Sequence, residues 1–340
     1  MKKVLMTLSI ITLAILLVAC GTESNYTDDE NRDEVEITHV VSTGGVENEA
    51  GTSYNGGNIE TKEVTEIFLT NPSRVAIFSY DALDMLDVVG IENTSISKIG
   101  VVKSNLPSFL THYDSDDYEN IGTLFMPDFD ALDLFNPQLI IIGGRSSGAY
   151  DALKSAYPNA NILDVSLTYG EYSEGLTRNV DNLGKIFPSV ETTLDNELSE
   201  IIDDIAIIHE VAKNYEALFI LVDGESLSFY GPSGRFAVLH DEFGFVAADP
   251  QAEEGGAHGN VVGYEYVAAV DPEVLFLLDR GSAIGGEGSV DTVIENSLIA
   301  GTKAGQNEEV YVLNGEAWYI AAGGFTSTQT MIDDLSDFQS

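Results

Sequence analysis

The sequence predicts an α/β protein made of two similar halves separated by a long helical segment. Three observations predict it. Short, wholly apolar runs alternate with stretches of helical periodicity, the pattern of a parallel sheet covered by helices. From Glu171 to Ile208 helical spacing is continuous apart from one proline, with no strand signal. A spaced set of residues also occurs twice along the chain.

Taken in order, Arg74 to Phe78 reads as a strand, followed by a helix carrying Ala82, Leu83, Met85, Leu86 and Val89. Leu139 to Ile142 is apolar throughout and bounded by Pro137 and Gly143, as expected of a strand buried on both faces. Further strands are expected at 161–165, 217–222, 274–278 and 310–313. In the middle, Leu176, Val180, Leu183 and Ile186 recur at helical spacing. Pro188 interrupts, and a second helix carries Leu194, Leu198, Ile201, Ile202, Ile205 and Ile208. A helical link of this kind resists bending, which predicts a small closure between the halves and no wide hinge.

The N-terminus adds a separate layer. Lys2 and Lys3 precede an apolar run from Val4 to Val18 that ends at Ala19-Cys20. The run is shorter than the roughly 20 residues that span a bilayer, so it reads as a secretion signal. Its Leu17-Val18-Ala19-Cys20 ending resembles a bacterial lipobox, which makes Cys20 the expected lipidation site and mature N-terminus. From Gly21 to about Glu60 the chain is rich in Gly, Ser, Thr, Asn and acids, the composition of a disordered tether. The expected organisation is a leader at 1–19, a tether at 20–60, a first α/β lobe at 61–170, a connecting helix at 171–187 and a second lobe at 188–340.

Composition excludes several functions. The 340 residues include 56 acidic against 15 basic side chains, for a formal charge of −41. So few cations argue against nucleic acid, where phosphates must be neutralised, and against docking on anionic lipid by a basic patch. A single Cys allows neither an intramolecular disulfide nor a thiolate zinc cluster. Walker and H-E-x-x-H signatures are absent, and no nucleophile–base pair is evident.

The internal echo points to a site. Asp130, Pro137 and Arg145 recur as Glu265, Pro272 and Arg280 at identical intervals, with matching apolar positions between them. Each unit reads as an acid at a helix start, a turn, a buried strand and an Arg in a glycine-containing loop. Such loops lie where open α/β sheets bind ligands. Arg235, in Tyr230-Gly231-Pro232-Ser233-Gly234-Arg235-Phe236, is a third arginine of this kind among only six in the chain. Three guanidinium groups form a local cationic pocket. A charge at about 4 Å acts with roughly 4 kcal/mol at an effective dielectric near 20, whereas the acidic exterior is screened beyond about 8 Å. Two further candidates are His258, in a glycine-rich loop, and the aromatic pair Trp318-Tyr319 ahead of Gly323-Gly324.

From Asn71 to Leu335 the chain resembles the substrate-binding lipoproteins of ferric-siderophore ABC importers, in particular the group that takes catecholate siderophores such as petrobactin. The resemblance is carried by Tyr118 to Leu124, Met126 to Asp130, Tyr230 to Phe236, His258-Gly259 with Glu265-Tyr266, and Thr302 to Ala304 with Trp318-Tyr319. It implies two Rossmann-like lobes joined by a long rigid helix, with the ligand in the cleft between them. It implies that Arg145, Arg235 and Arg280 neutralise a ferric catecholate, with Trp318 lining the site. It further implies that His258 and Tyr319 ligate iron when the siderophore leaves sites open, and that Asp130 and Glu265 dock on permease arginines. The implied partners are the permease, its ATPase and the outer face of the membrane through Cys20. The protein is then a monomer without cofactor or turnover. A carrier of haem, a corrinoid or ferric citrate on the same fold, and an extracellular α/β enzyme, remain the alternatives.

Overall fold

A computed structural model describes residues 32–250 and 259–339; the leader, Cys20 and His258 lie outside them. The first described element corrects the tether expected up to Glu60. Strand β1 (Glu34–Val46) pairs antiparallel with β2 (Gly56–Leu69), so folded structure begins well before residue 61. The reason is alternation. Ile37, His39 and Val41 are buried on one face, while Glu36 and Thr38 point away. A strand needs apolar groups at only every second position, so a polar-looking composition still buries one side.

The first sheet is all parallel. Its strands are β3 (Arg74–Ile77), β4 (Lys98–Val101), β5 (Glu119–Asn120), β6 (Leu139–Ile142) and β7 (Asn161–Asp164), in the order β5-β4-β3-β6-β7. Helix α1 (Tyr80–Val88) begins at Ser79, whose hydroxyl accepts from the Ala82 amide, a turn earlier than its apolar pattern alone indicates. Helices α2 (Phe129–Phe135) and α3 (Tyr150–Ala156) follow β5 and β6.

Two helices then separate the sheets along the chain. Helix α4 (Tyr172–Ile186) stops ahead of Pro188, and α5 (Glu191–Ala212) runs for 22 residues, about 33 Å at 1.5 Å per residue. The second sheet contains β8 (Glu216–Asp223), β9 (Ser226–Tyr230), β10 (Val246–Ala247), β11 (Asn260–Val262), β12 (Val274–Asp279) and β13 (Val310–Leu313). Its path is β11-β9-β8-β12-β13, with β10 on the start of β8. Strands β8, β12 and β13 are parallel, and β9 and β11 run against them.

The echo is structural. Helix α2 and the helix Tyr264–Val270 each end at a left-handed residue, Asn136 at φ 53° and Asp271 at φ 54°. Pro137 and Pro272 follow, then the buried strands β6 and β12. The C-terminal helix Phe325–Asp334 returns to the first sheet. There the buried Asp84 of α1 accepts from the Thr326 and Ser327 amides at 3.2 and 2.9 Å and from the Ser327 hydroxyl at 3.1 Å. One continuous core therefore runs through both sheets, joining Leu83 and Ile141 to Phe276, Phe325 and Ile332.

Candidate functional site

Three arginines converge on Tyr319. Arg145 lies in the 3-10 turn Gly144–Ala149 that leaves β6, Arg280 opens the short helix that leaves β12, and Arg235 follows the turn after β9. Tyr319 sits in the π-helical turn Glu316–Ile320, closed by the Ala321 amide on the Glu316 carbonyl at 3.0 Å. A π turn displaces carbonyls from their usual helical partners, and such turns cluster at functional sites. Here the Tyr319 carbonyl accepts from Arg145 Nη2 at 2.7 Å and from Arg235 Nη2 at 2.8 Å. Arg145 Nη1 also reaches the Ile320 carbonyl at 3.3 Å.

The ring and hydroxyl of Tyr319 are engaged as well. Arg235 Cζ stands 4.0 Å from the ring centroid and Arg145 Cζ 5.4 Å, both within cation–π range. Arg280 Nε donates to the Tyr319 hydroxyl at 3.1 Å, while its Nη1 pairs with Asp223 at 2.9 Å. Each guanidinium has five N–H donors in a fixed fork, so these contacts fix its plane and leave other donors for an anion.

Electrostatics follow from this crowding. Burial and the nearby charge of Arg235 pull Arg145 below the usual arginine range. Burial raises the Tyr319 phenol, but the hydrogen bond from Arg280 and the charge of Arg235 outweigh it and hold the group below the ordinary tyrosine value. The hydrogen bond to Tyr319 raises Arg280. Beneath Arg145, burial pushes the Asp81 carboxyl up to about 6, against a hydrogen bond from Gly323 and the charge of Arg145.

The sign of that last shift gives a testable pH dependence. A carboxyl whose folded value is raised binds its proton more tightly when folded, so its contribution favours folding as pH falls through about 6 and opposes it above. Asp81→Asn should therefore gain stability relative to the parent at pH 7. That gain should shrink by on the order of 2 kcal/mol at pH 4 in urea unfolding curves. A difference that stays flat across this range contradicts the burial of Asp81.

The structure places the other expected residues unevenly. Asp130 and Glu265 occupy the first turns of the two matched helices, both exposed. Trp318 does not line the site. It is 2% exposed, its Nε1 donates to Asp334 at 2.9 Å, and it packs near Phe219 and Phe243. Consecutive side chains on a helical turn point in different directions, so only Tyr319 of this pair faces the arginines. Three neighbours were missed from sequence. Phe125, half-exposed, lies 5.9 Å from Arg145; Asp223 pairs with Arg280; Asp81 lies below Arg145. Asp223 carried a signal, since Gly224-Glu225 is a glycine-led two-residue hairpin turn, with Gly224 at φ 60°, and Asp223 closes the strand before it. Phe125 and Asp81 carried none.

Comparison with known proteins identifies the family. Residues 75–317 match the periplasmic binding protein family. The petrobactin-binding protein YclQ of Bacillus subtilis is 30% identical over 99% of both chains. Its crystal structure superimposes with a TM-score of 0.74, at 32% identity, covering 81% of this chain and 95% of that one. The periplasmic catecholate-siderophore binding protein VctP of Vibrio cholerae gives a TM-score of 0.73 at 27% identity, over 88% and 100% of the two chains. The ferric-anguibactin-binding protein FatB of Vibrio anguillarum is 25% identical over 79% of this chain and 83% of its own. With its two linked sheets and with more than half its length matched, the chain belongs to the periplasmic binding protein family.

Proposed function

We propose that this protein captures a ferric siderophore of catecholate type and hands it to an ABC import permease, without catalytic turnover. One observation carries the reading: three arginines from three loops meet at one phenol, within a chain of formal charge −41. A ferric catecholate is a compact polyanion with aromatic faces. Guanidinium forks supply charge-assisted donors for its oxygens, and Tyr319 and Phe125 supply ring contacts. Relatives named for petrobactin, anguibactin and catecholate siderophores support the ligand class.

The same reading assigns the remaining parts. Cys20 is the lipid anchor on the outer face of the membrane, and 171–187 links lobes at 61–170 and 188–340, with the β1–β2 hairpin joined to the first lobe. Asp130 and Glu265 meet the permease, one from each lobe, and the coupled ATPase drives import. His258 and Tyr319 close the coordination of iron when a tetradentate siderophore leaves sites open.

Native mass spectrometry of the full chain with ferric petrobactin, ferric citrate, haem and a corrinoid tests the ligand class. Retention of ferric petrobactin alone is the expected result; retention of only one of the others replaces the catecholate assignment. With a tetradentate ferric catecholate, a phenolate-to-iron charge-transfer band should appear and vanish in Tyr319→Phe.

A further inference from the structure

We propose that the β1–β2 hairpin is a brace that sets the position of Arg145 for the ligand, which makes Gly45, Gly148 and Asp151 positioning residues. The inference rests on the binding role of Arg145 proposed above. The hairpin lies ahead of residue 75, where the family match begins.

Both ends of the loop that carries Arg145 are held from the hairpin side. At the far end the backbones touch. A Cβ on Gly45 would stand 2.1 Å from the Gly148 carbonyl oxygen, and a Cβ on Gly148 would stand 2.2 Å from the Tyr54 carbonyl oxygen in the β1–β2 connection. Only glycine permits either approach. Just beyond, the Gly44 amide donates to the carboxylate of Asp151 in α3 at 2.7 Å. At the near end the Gly144 amide donates to the Ser166 hydroxyl at 2.8 Å. Ser166 in turn donates to Asp164 Oδ1 at 2.5 Å, and the Asp164 amide donates to Nδ1 of the buried His39 in β1 at 3.0 Å. The hairpin is itself anchored by Ile37, Val41 and Phe68, all fully buried.

Arg145 stands between these two fixed points, and its guanidinium reaches across to the Tyr319 and Ile320 carbonyls. Side chains that bind through a fixed fork lose affinity steeply when their supporting shell moves by an ångström. A hairpin that touches the loop at its far end, and is linked to its near end through Asp164 and Ser166, supplies that support.

A double-mutant cycle tests the brace. Binding of ferric petrobactin is measured by calorimetry for the parent, Gly148→Ala, Arg145→Ala and the combination. Gly148→Ala should weaken binding about 10-fold when Arg145 is present and less than 2-fold when it is absent, because coupled residues are not additive. Equal losses in both backgrounds, or parental affinity in Gly148→Ala, overturn the proposal. Where Gly148→Ala shows no cooperative melting, the exposed Asp151→Ala takes its place, with a loss of about 3-fold expected in the parent background only. Unchanged affinity there overturns the brace as well. Failure of the parent to bind any ferric catecholate overturns the site's proposed function and the brace together, whereas parental binding with unaffected variants overturns the brace alone.

Discussion

A variant carrying both Arg145→Ala and Arg235→Ala should bind ferric petrobactin at least about 100-fold more weakly than the parent, with a melting temperature that shifts only slightly. The two guanidinium groups share one acceptor, the Tyr319 carbonyl, and both flank the same ring. Each charge-assisted hydrogen bond to an anion contributes about 1.5–3 kcal/mol, so the loss of two corresponds to at least about two powers of ten in affinity. Stability is spared because burial, and after it the charge of Arg235, already holds Arg145 below the ordinary arginine range, and deleting both arginines relieves these costs. The single Arg280→Ala change should cost less than Arg145→Ala, since Asp223 already offsets part of the Arg280 charge at 2.9 Å. Affinity of the double variant within a few-fold of the parent, measured by calorimetry, removes these arginines from the binding account.

Asp84→Ala should lower the unfolding free energy by about 3 kcal/mol or more, or roughly 5 °C in melting temperature for a chain of this size. Truncation strips two backbone amides and one hydroxyl at the start of the C-terminal helix of their acceptor and opens a hole beneath Gly324. Asp84→Asn should be far milder. Burial holds the Asp84 carboxyl above its ordinary value, so its ionised form is itself costly in the fold, and an amide removes that cost while keeping one oxygen acceptor. Comparable losses in the alanine and asparagine variants, followed by thermal unfolding, contradict the capping role.

Much of this architecture was legible in the chain. Strands β6 and β13 fall at the expected residues because an uninterrupted apolar run between a proline and a glycine, or between polar turns, has few other solutions. Helix α4 fits its spacing, and the repeated acid, proline and arginine located two of the three cationic loops. Other features were hidden for physical reasons. The hairpin escaped because its buried face alternates with Glu and Thr, so no window is apolar overall. The strands β4 and β5 are short and carry polar edges, and their identity comes from lateral pairing, β4 with β3 and β5 with β4. Apart from the family resemblance, the site's organising residue was visible only as one half of an aromatic pair. Which half turns inward depends on the π turn at Glu316–Ile320, a hydrogen-bond choice that local composition does not encode.

The return of the last helix to the first sheet has a consequence for biogenesis. Asp84, near the beginning of the folded region, waits for amides some 240 positions downstream. A chain emerging from a ribosome or a secretion pore N-terminus first therefore cannot finish its leading half until its final turns are released.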